Sequence, residues 1–163
     1  MPFQLRSVKV KKEVGINIIV PIKGLEYGVH TYMYTLKQPF FDSFGSLDIR
    51  DASIETIVKL EKQTSGMLLH VVLQGSVLRS CDRCLGDLLI PVTYSAHVVV
   101  KFAKRHEEEQ SEEWILADPN DTEIDLTQYV YDSVCVNLPL QSIHPTGQCD
   151  PEMERRIAEL IVN

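Results

Sequence analysis

Between Val92 and Phe102 the chain alternates with a period of two. Val92, Tyr94, Ala96, Val98, Val100 and Phe102 fall on one face, and Thr93, Ser95, His97 and Lys101 on the other. That pattern is a half-buried β-strand. Upstream, Met67 to Leu78 is almost continuously apolar, as expected of a central strand covered on both faces. The two runs are joined by Ser80-Cys81-Asp82-Arg83-Cys84-Leu85-Gly86-Asp87. A β-hairpin with a Cys-x-x-Cys at its tip follows, and the remaining elements must be built around it.

Ile16, Ile18, Val20 and Ile22 predict a strand over 16–22, and Ala52, Ile54, Thr56, Val58 and Leu60 predict another. Residues 38–47 predict a short helix, and Trp114-Ile115-Leu116 a short returning strand. The tail reads as two helices. Asp125 with Gln128 resembles a capping box, Leu126, Tyr129, Val130, Ser133 and Val134 share a helical face, and Pro139 ends that helix. Asp150 as N-cap and Pro151 at N1 open the last helix, whose apolar stripe is Met153, Ile157, Leu160 and Ile161. The expected fold is α+β. An antiparallel β-sheet or partial barrel carries the Cys-x-x-Cys hairpin, and two C-terminal helices pack on the sheet or close one end. The 163 residues suit a single domain, 1–163, made of a strand-rich body over 15–103, an acidic loop over 106–113 and a helical tail over 124–163.

The net charge of −7 disfavours a protein that coats nucleic acid non-specifically, because such binding rests on Lys and Arg. It leaves room for a local basic patch or a basic protein partner. No run approaches the ~18 apolar residues of a membrane-spanning helix. Residues Met1 to Arg6 lack the pattern of a signal peptide, so a cytoplasmic protein without a membrane partner is expected. No glycine-rich phosphate loop, nucleophile elbow or His-Glu-x-x-His is present, and acidic pairs such as Asp118/Asp121 are explained by turns and caps. No enzyme activity and no small-molecule substrate are expected.

The chemistry concentrates in the cysteines. In a cytosolic chain they point to metal or redox use before disulfides. Cys81 and Cys84 can hold one face of a tetrahedral zinc, and Gly86 lets backbone amides turn toward the sulfurs. A structural zinc needs four ligands. His144 and Cys149, in a short Pro/Gly loop, supply the other two, giving Cys81, Cys84, His144 and Cys149. Cys149 also precedes a helix N-terminus, whose dipole favours a thiolate. The plainer alternative is a set of reduced small residues with a loop histidine. Cys135, inside the first tail helix, reads as a packing residue. A dithiol redox protein using Cys81 and Cys84 is the competing function, although its flanks read as strands and not as a strand-to-helix junction. Arg79 and Arg83 flank the Cys turn and can reach a phosphate or carboxylate, or simply keep the tip soluble. Lys9, Lys11 and Lys12 belong to the most basic segment. Lys101, Lys104 and Arg105 lie roughly 30 Å from the turn along the strand and form a separate patch.

The run Leu73-Gln74-Gly75-Ser76-Val77-Leu78-Arg79-Ser80-Cys81-Asp82-Arg83-Cys84-Leu85, followed by a β-rich stretch, an acidic loop, Ile124-Asp125-Leu126 and Asn137-Leu138-Pro139-Leu140, resembles the YceD family over roughly residues 15–150. These are the large ribosomal RNA subunit accumulation proteins of bacteria and plastids. The resemblance implies a non-enzymatic cytoplasmic factor needed for normal 23S ribosomal RNA levels, with a part in large-subunit biogenesis. Many members carry a second cysteine cluster after the Leu-Pro motif, where this chain offers His144 and Cys149. The expected partner is pre-23S ribosomal RNA or a basic ribosomal protein. RNA contact would fall to Arg79, Arg83 and the Lys9, Lys11, Lys12 segment.

Overall fold

The computed structural model describes residues 11–14, 16–102 and 114–162, with only the backbone of 11–14. Lys9, Lys104, Arg105 and the acidic run 106–113 lie outside the described residues, as do the side chains of Lys11 and Lys12.

In chain order the elements are β1 (Lys11–Val14), β2 (Ile19–Pro21), β3 (Gly28–Lys37), α1 (Gln38–Asp42), β4 (Asp51–Gln63) and β5 (Gly66–Ser80). There follow β6 (Asp87–Phe102), β7 (Trp114–Ala117), β8 (Glu123–Asp125), α2 (Thr127–Asn137) and α3 (Pro151–Ile161). The fold is α+β, as the sequence predicts. Six strands form an open sheet in the order β1-β3-β4-β5-β6-β7, and β2 pairs with β8 in a separate ribbon. The central strands are antiparallel, but both edge pairs, β1 with β3 and β6 with β7, run parallel. The sheet is therefore mixed.

One face of the sheet is dry. Tyr32, Tyr34 and Leu36 line up with Ala52, Ile54, Val58 and Leu60, then Leu69, Val71 and Leu73, then Ile90, Val92, Val98 and Val100. Each fully buried aliphatic side chain contributes ~1.5–3 kcal/mol relative to exposure. The second layer supplies Ile18, Val20 and Ile22 around β2, Phe40 and Phe41 from α1, and Leu126, Val130 and Val134 from α2. Polar contacts fix this layer. The Tyr34 hydroxyl donates to the Ile19 carbonyl at 2.7 Å, and the Ile18 amide donates to Thr127 Oγ1 at 2.9 Å. The hydroxyls of Tyr94 and Tyr129 meet at 2.8 Å, tying α2 to β6.

Several expectations need correction. β3 has no counterpart among the strands read from the sequence. β2 is only three residues long, and Ile16 is exposed. β5 is central but dry on one face only: Leu69, Val71 and Leu73 are buried, whereas Leu68, His70 and Val72 on the other face are half-buried. Asp125 ends β8 and accepts from the Thr127 amide at 2.8 Å, but Gln128 donates to Asp132 and does not reach back, so no capping box forms. α3 is capped as predicted, the Asp150 carboxylate accepting from the Met153 amide at 2.9 Å. Unlike α2, α3 buries none of its residues among those described, and Leu160 and Ile161 are exposed.

Gly75 shows how closely β5 approaches β4. A Cβ there would lie 2.0 Å from the Ser53 carbonyl oxygen, so only glycine fits.

Candidate metal centre

The register of the β5–β6 hairpin ends at Ser80 opposite Asp87, leaving Cys81 to Gly86 as the connection. The Cys81 amide donates to the Gly86 carbonyl at 2.8 Å, and the Leu85 amide to the Cys81 carbonyl at 2.9 Å. This tight closure puts both sulfurs on the inside of the turn. The left-handed position is Leu85, at φ 60°, not Gly86. Gly86 serves close approach instead: a Cβ there would stand 3.3 Å from Cys84 Sγ and 3.7 Å from His144 Cε1. Amides do face the sulfurs, as expected. The Arg83 amide lies 3.4 Å from Cys81 Sγ, and the amides of Asp150 and Gly86 are directed at Cys84.

The second half of the centre arrives from the loop between α2 and α3, 60 residues away. Asp82 and Ser142 hold it in a reciprocal pair. The Asp82 amide donates to the Ser142 carbonyl at 2.7 Å, and the Ser142 amide to Asp82 Oδ2 at 2.6 Å. Ser142 is 1% exposed. Arg79 Nη1 donates to Ser142 Oγ at 3.0 Å, and Arg79 Nη2 lies 3.7 Å from Asp48. Arg83 is more exposed and sits 3.9 Å from Glu154 on α3.

So anchored, the loop brings His144 and Cys149 to the hairpin tip. His144 Nε2 is 2.8 Å from the Asp87 carbonyl, which can only accept, so Nε2 carries the proton and Nδ1 turns its lone pair to the sulfurs. Nδ1 lies 3.4 Å from Cys84 Sγ and 3.8 Å from Cys149 Sγ, while Cys81 Sγ and Cys149 Sγ are 3.9 Å apart. All four donor atoms lie within 4.8 Å of one another. A tetrahedral zinc with Zn–S of ~2.3 Å and Zn–N of ~2.0–2.1 Å spaces its ligands by about 3.6–3.8 Å. The donor set and its spacing fit that ion. The three thiols are buried, with Met153 packed against them.

The electrostatics agree. Burial alone would raise the Cys81 thiol, but the backbone hydrogen bonds of Cys84, His144 and Arg83 and a side-chain hydrogen bond from Cys84 outweigh it and bring the group down to about 6. The amides of Asp150 and Gly86 lower Cys84 against the opposing effect of burial. Cys149 moves the other way, pushed up to about 11 by burial and by hydrogen bonds and charge from Cys84 and Cys81. This corrects the expectation that the α3 N-terminus acidifies Cys149. The amide at that N-terminus points at Cys84, and burial, with the hydrogen bonds and charge of the neighbouring sulfurs behind it, governs Cys149. Three adjacent sulfurs cannot all ionise unaided, and a divalent cation supplies what the third lacks.

Cys135 stands apart, half-buried on α2, with burial raising its thiol. Ser142, Asp82 and the Asp87 carbonyl carry no sequence signal, since their role exists only through a contact across 57–63 residues.

Among the described residues, no helix is long and apolar enough to cross a membrane. No curated protein and no solved structure matches the chain. Residues 69–160, which hold the hairpin, all four donors and nearly all of α3, match the family described as large ribosomal RNA subunit accumulation protein YceD. The chain belongs to the YceD family, whose description gives it a role in large ribosomal subunit biogenesis.

Proposed function

We propose that the protein is a non-enzymatic assembly factor that holds one structural zinc through Cys81, Cys84, His144 and Cys149. It contacts pre-23S ribosomal RNA or a basic ribosomal protein, in the cytoplasm where subunits are built. The convergence of three buried sulfurs and one oriented imidazole, drawn from two segments 60 residues apart, carries this reading. When bound, the ion supplies a cross-link between hairpin and tail, and its binding energy is folding energy. The role of the chain's own residues is to present donors: amides acidify Cys81 and Cys84, the Asp87 carbonyl sets the His144 tautomer, and Asp82 holds the loop. The exposed Arg83 remains available to a phosphate or carboxylate, with Arg79, Lys9, Lys11 and Lys12 as further candidate contacts.

The test is the ratio of 23S to 16S ribosomal RNA in cells depleted of the protein, with rescue by wild type or by a Cys81→Ser, Cys84→Ser variant. A specific fall in 23S, restored by wild type and not by the variant, is expected. An unchanged ratio in slow and fast growth would overturn the biogenesis reading. The acidified Cys81 favours one second reading, a Cys81/Cys84 redox dithiol. One equivalent of zinc in protein purified without chelator decides against it.

A further inference from the structure

The face of the sheet opposite the core carries a second constellation, far along the strands from the metal centre. β5 and β6 place His70 directly opposite His97. Their rings stack at 4.1 Å between centroids, 11° from parallel. Ser95 Oγ meets His70 Nε2 at 3.0 Å and holds that ring. On the other side His70 pairs with Lys59 of β4, close enough for its charge to act on the imidazole. Four residues beyond His97, ~13 Å along the strand, Lys101 Nζ sits 3.7 Å above the ring of Trp114. Trp114 opposes Val99, so it belongs to the same face. His97 is exposed, and His70 and Trp114 are half-buried.

From this arrangement we propose that the open sheet face is a stacking platform for single-stranded RNA. The inference rests on the ribosome-biogenesis reading and names the partner class and its surface. A flat π-surface at the end of a stack offers a base somewhere to lie, whatever its identity, and flanking cations track the backbone. The platform has both: the exposed imidazole of His97 on its stack as the surface and Lys59 as the cation, with the Lys101-covered indole of Trp114 at its edge. Glu61, two residues along β4 from Lys59, accepts from Gln63. Ser95 holds the His70 ring and the stack holds His97 against it, so little side-chain freedom is lost on binding. An A-form duplex, with its bases stacked inside, has nothing to lay on this surface.

The experiment uses the full chain, zinc-loaded, with fluorescein-labelled dodecauridylate and a twelve-base-pair RNA duplex as anisotropy probes. The single strand should bind more tightly than the duplex. His97→Ala should weaken single-strand binding about 5- to 150-fold, from the ~1–3 kcal/mol of one stacked base. His97→Phe should restore most of it, because stacking survives the loss of the imidazole nitrogens. Lys59→Ala should lower the salt slope by about 0.7, one phosphate contact on a single strand. Equal binding of strand and duplex, or equal affinity of wild type and His97→Ala at matched melting temperatures, overturns the platform. Saturation of the same face by a basic ribosomal-protein peptide, with no binding of dodecauridylate, overturns it in favour of a protein partner. The biogenesis reading stands or falls separately, on the 23S ratio.

Discussion

Removing the carboxylate of Asp82 tests whether the loop latch and the metal centre are one device. In Asp82→Ala the Ser142 amide loses its acceptor at 2.6 Å, at a residue only 1% exposed. The bond is charge-assisted, and leaving such a buried donor unmet costs ~1.5–3 kcal/mol. The reciprocal bond from the Asp82 amide to the Ser142 carbonyl remains, because it belongs to the backbone. If the metal-free loop then undocks, the whole cost falls on metal affinity, a loss of about 10- to 140-fold. If the loop stays docked without metal, the cost appears as stability, about 3–12 °C in melting temperature for a chain of this size. Competition with a chromophoric chelator reads the first quantity, and melting with and without chelator reads the second. Asp82→Asn keeps an acceptor and should fall between the variant and wild type. Zinc affinity within twofold of wild type, together with an unchanged melting temperature in chelator, would refute the latch.

Gly75→Ala drives a Cβ to 2.0 Å from the Ser53 carbonyl, so β4 and β5 must part. Overpacking of ~2–3 kcal/mol should lower the melting temperature by about 4–12 °C, read by circular dichroism. Leu85→Gly removes a left-handed leucine at φ 60°. It should raise stability by up to ~1 kcal/mol while leaving zinc stoichiometry at one. His70 is held below its ordinary value of 6.5 by burial, His97 and Lys59. Its neutral form is therefore the one the fold favours, and stability should fall as pH drops below about 6.5 toward the folded-state value. Melting between pH 5 and 8 should show that fall, and His97→Ala should make it shallower.

Much of this molecule is local in origin. Alternation from Val92 to Val100 and from Ala52 to Leu60 states which side chains face the core, because strand geometry alone sends neighbours to opposite faces, although Phe102, at the end of the first run, is exposed. The hairpin, the paired cysteines at its tip and the Asp150 cap of α3 follow from a few adjacent residues in the same way. His144 and Cys149 were legible as donors from chemistry alone, since a structural zinc demands four ligands and the tail offered two. Tertiary structure decided what depends on pairing between distant segments. β3 hid because its outer face, Thr31, Met33 and Thr35, contrasts weakly with the buried Tyr32, Tyr34 and Leu36. The parallel edges, the Asp82–Ser142 latch and the stack of His70 on His97 each arise from register, and no property of either partner's neighbours encodes it. The reversal at Cys149 has the same cause. A thiol near a helix N-terminus should ionise easily, but this one is buried against two others, and burial, with hydrogen bonds and charge from Cys84 and Cys81 behind it, outweighs the pull of the helix end.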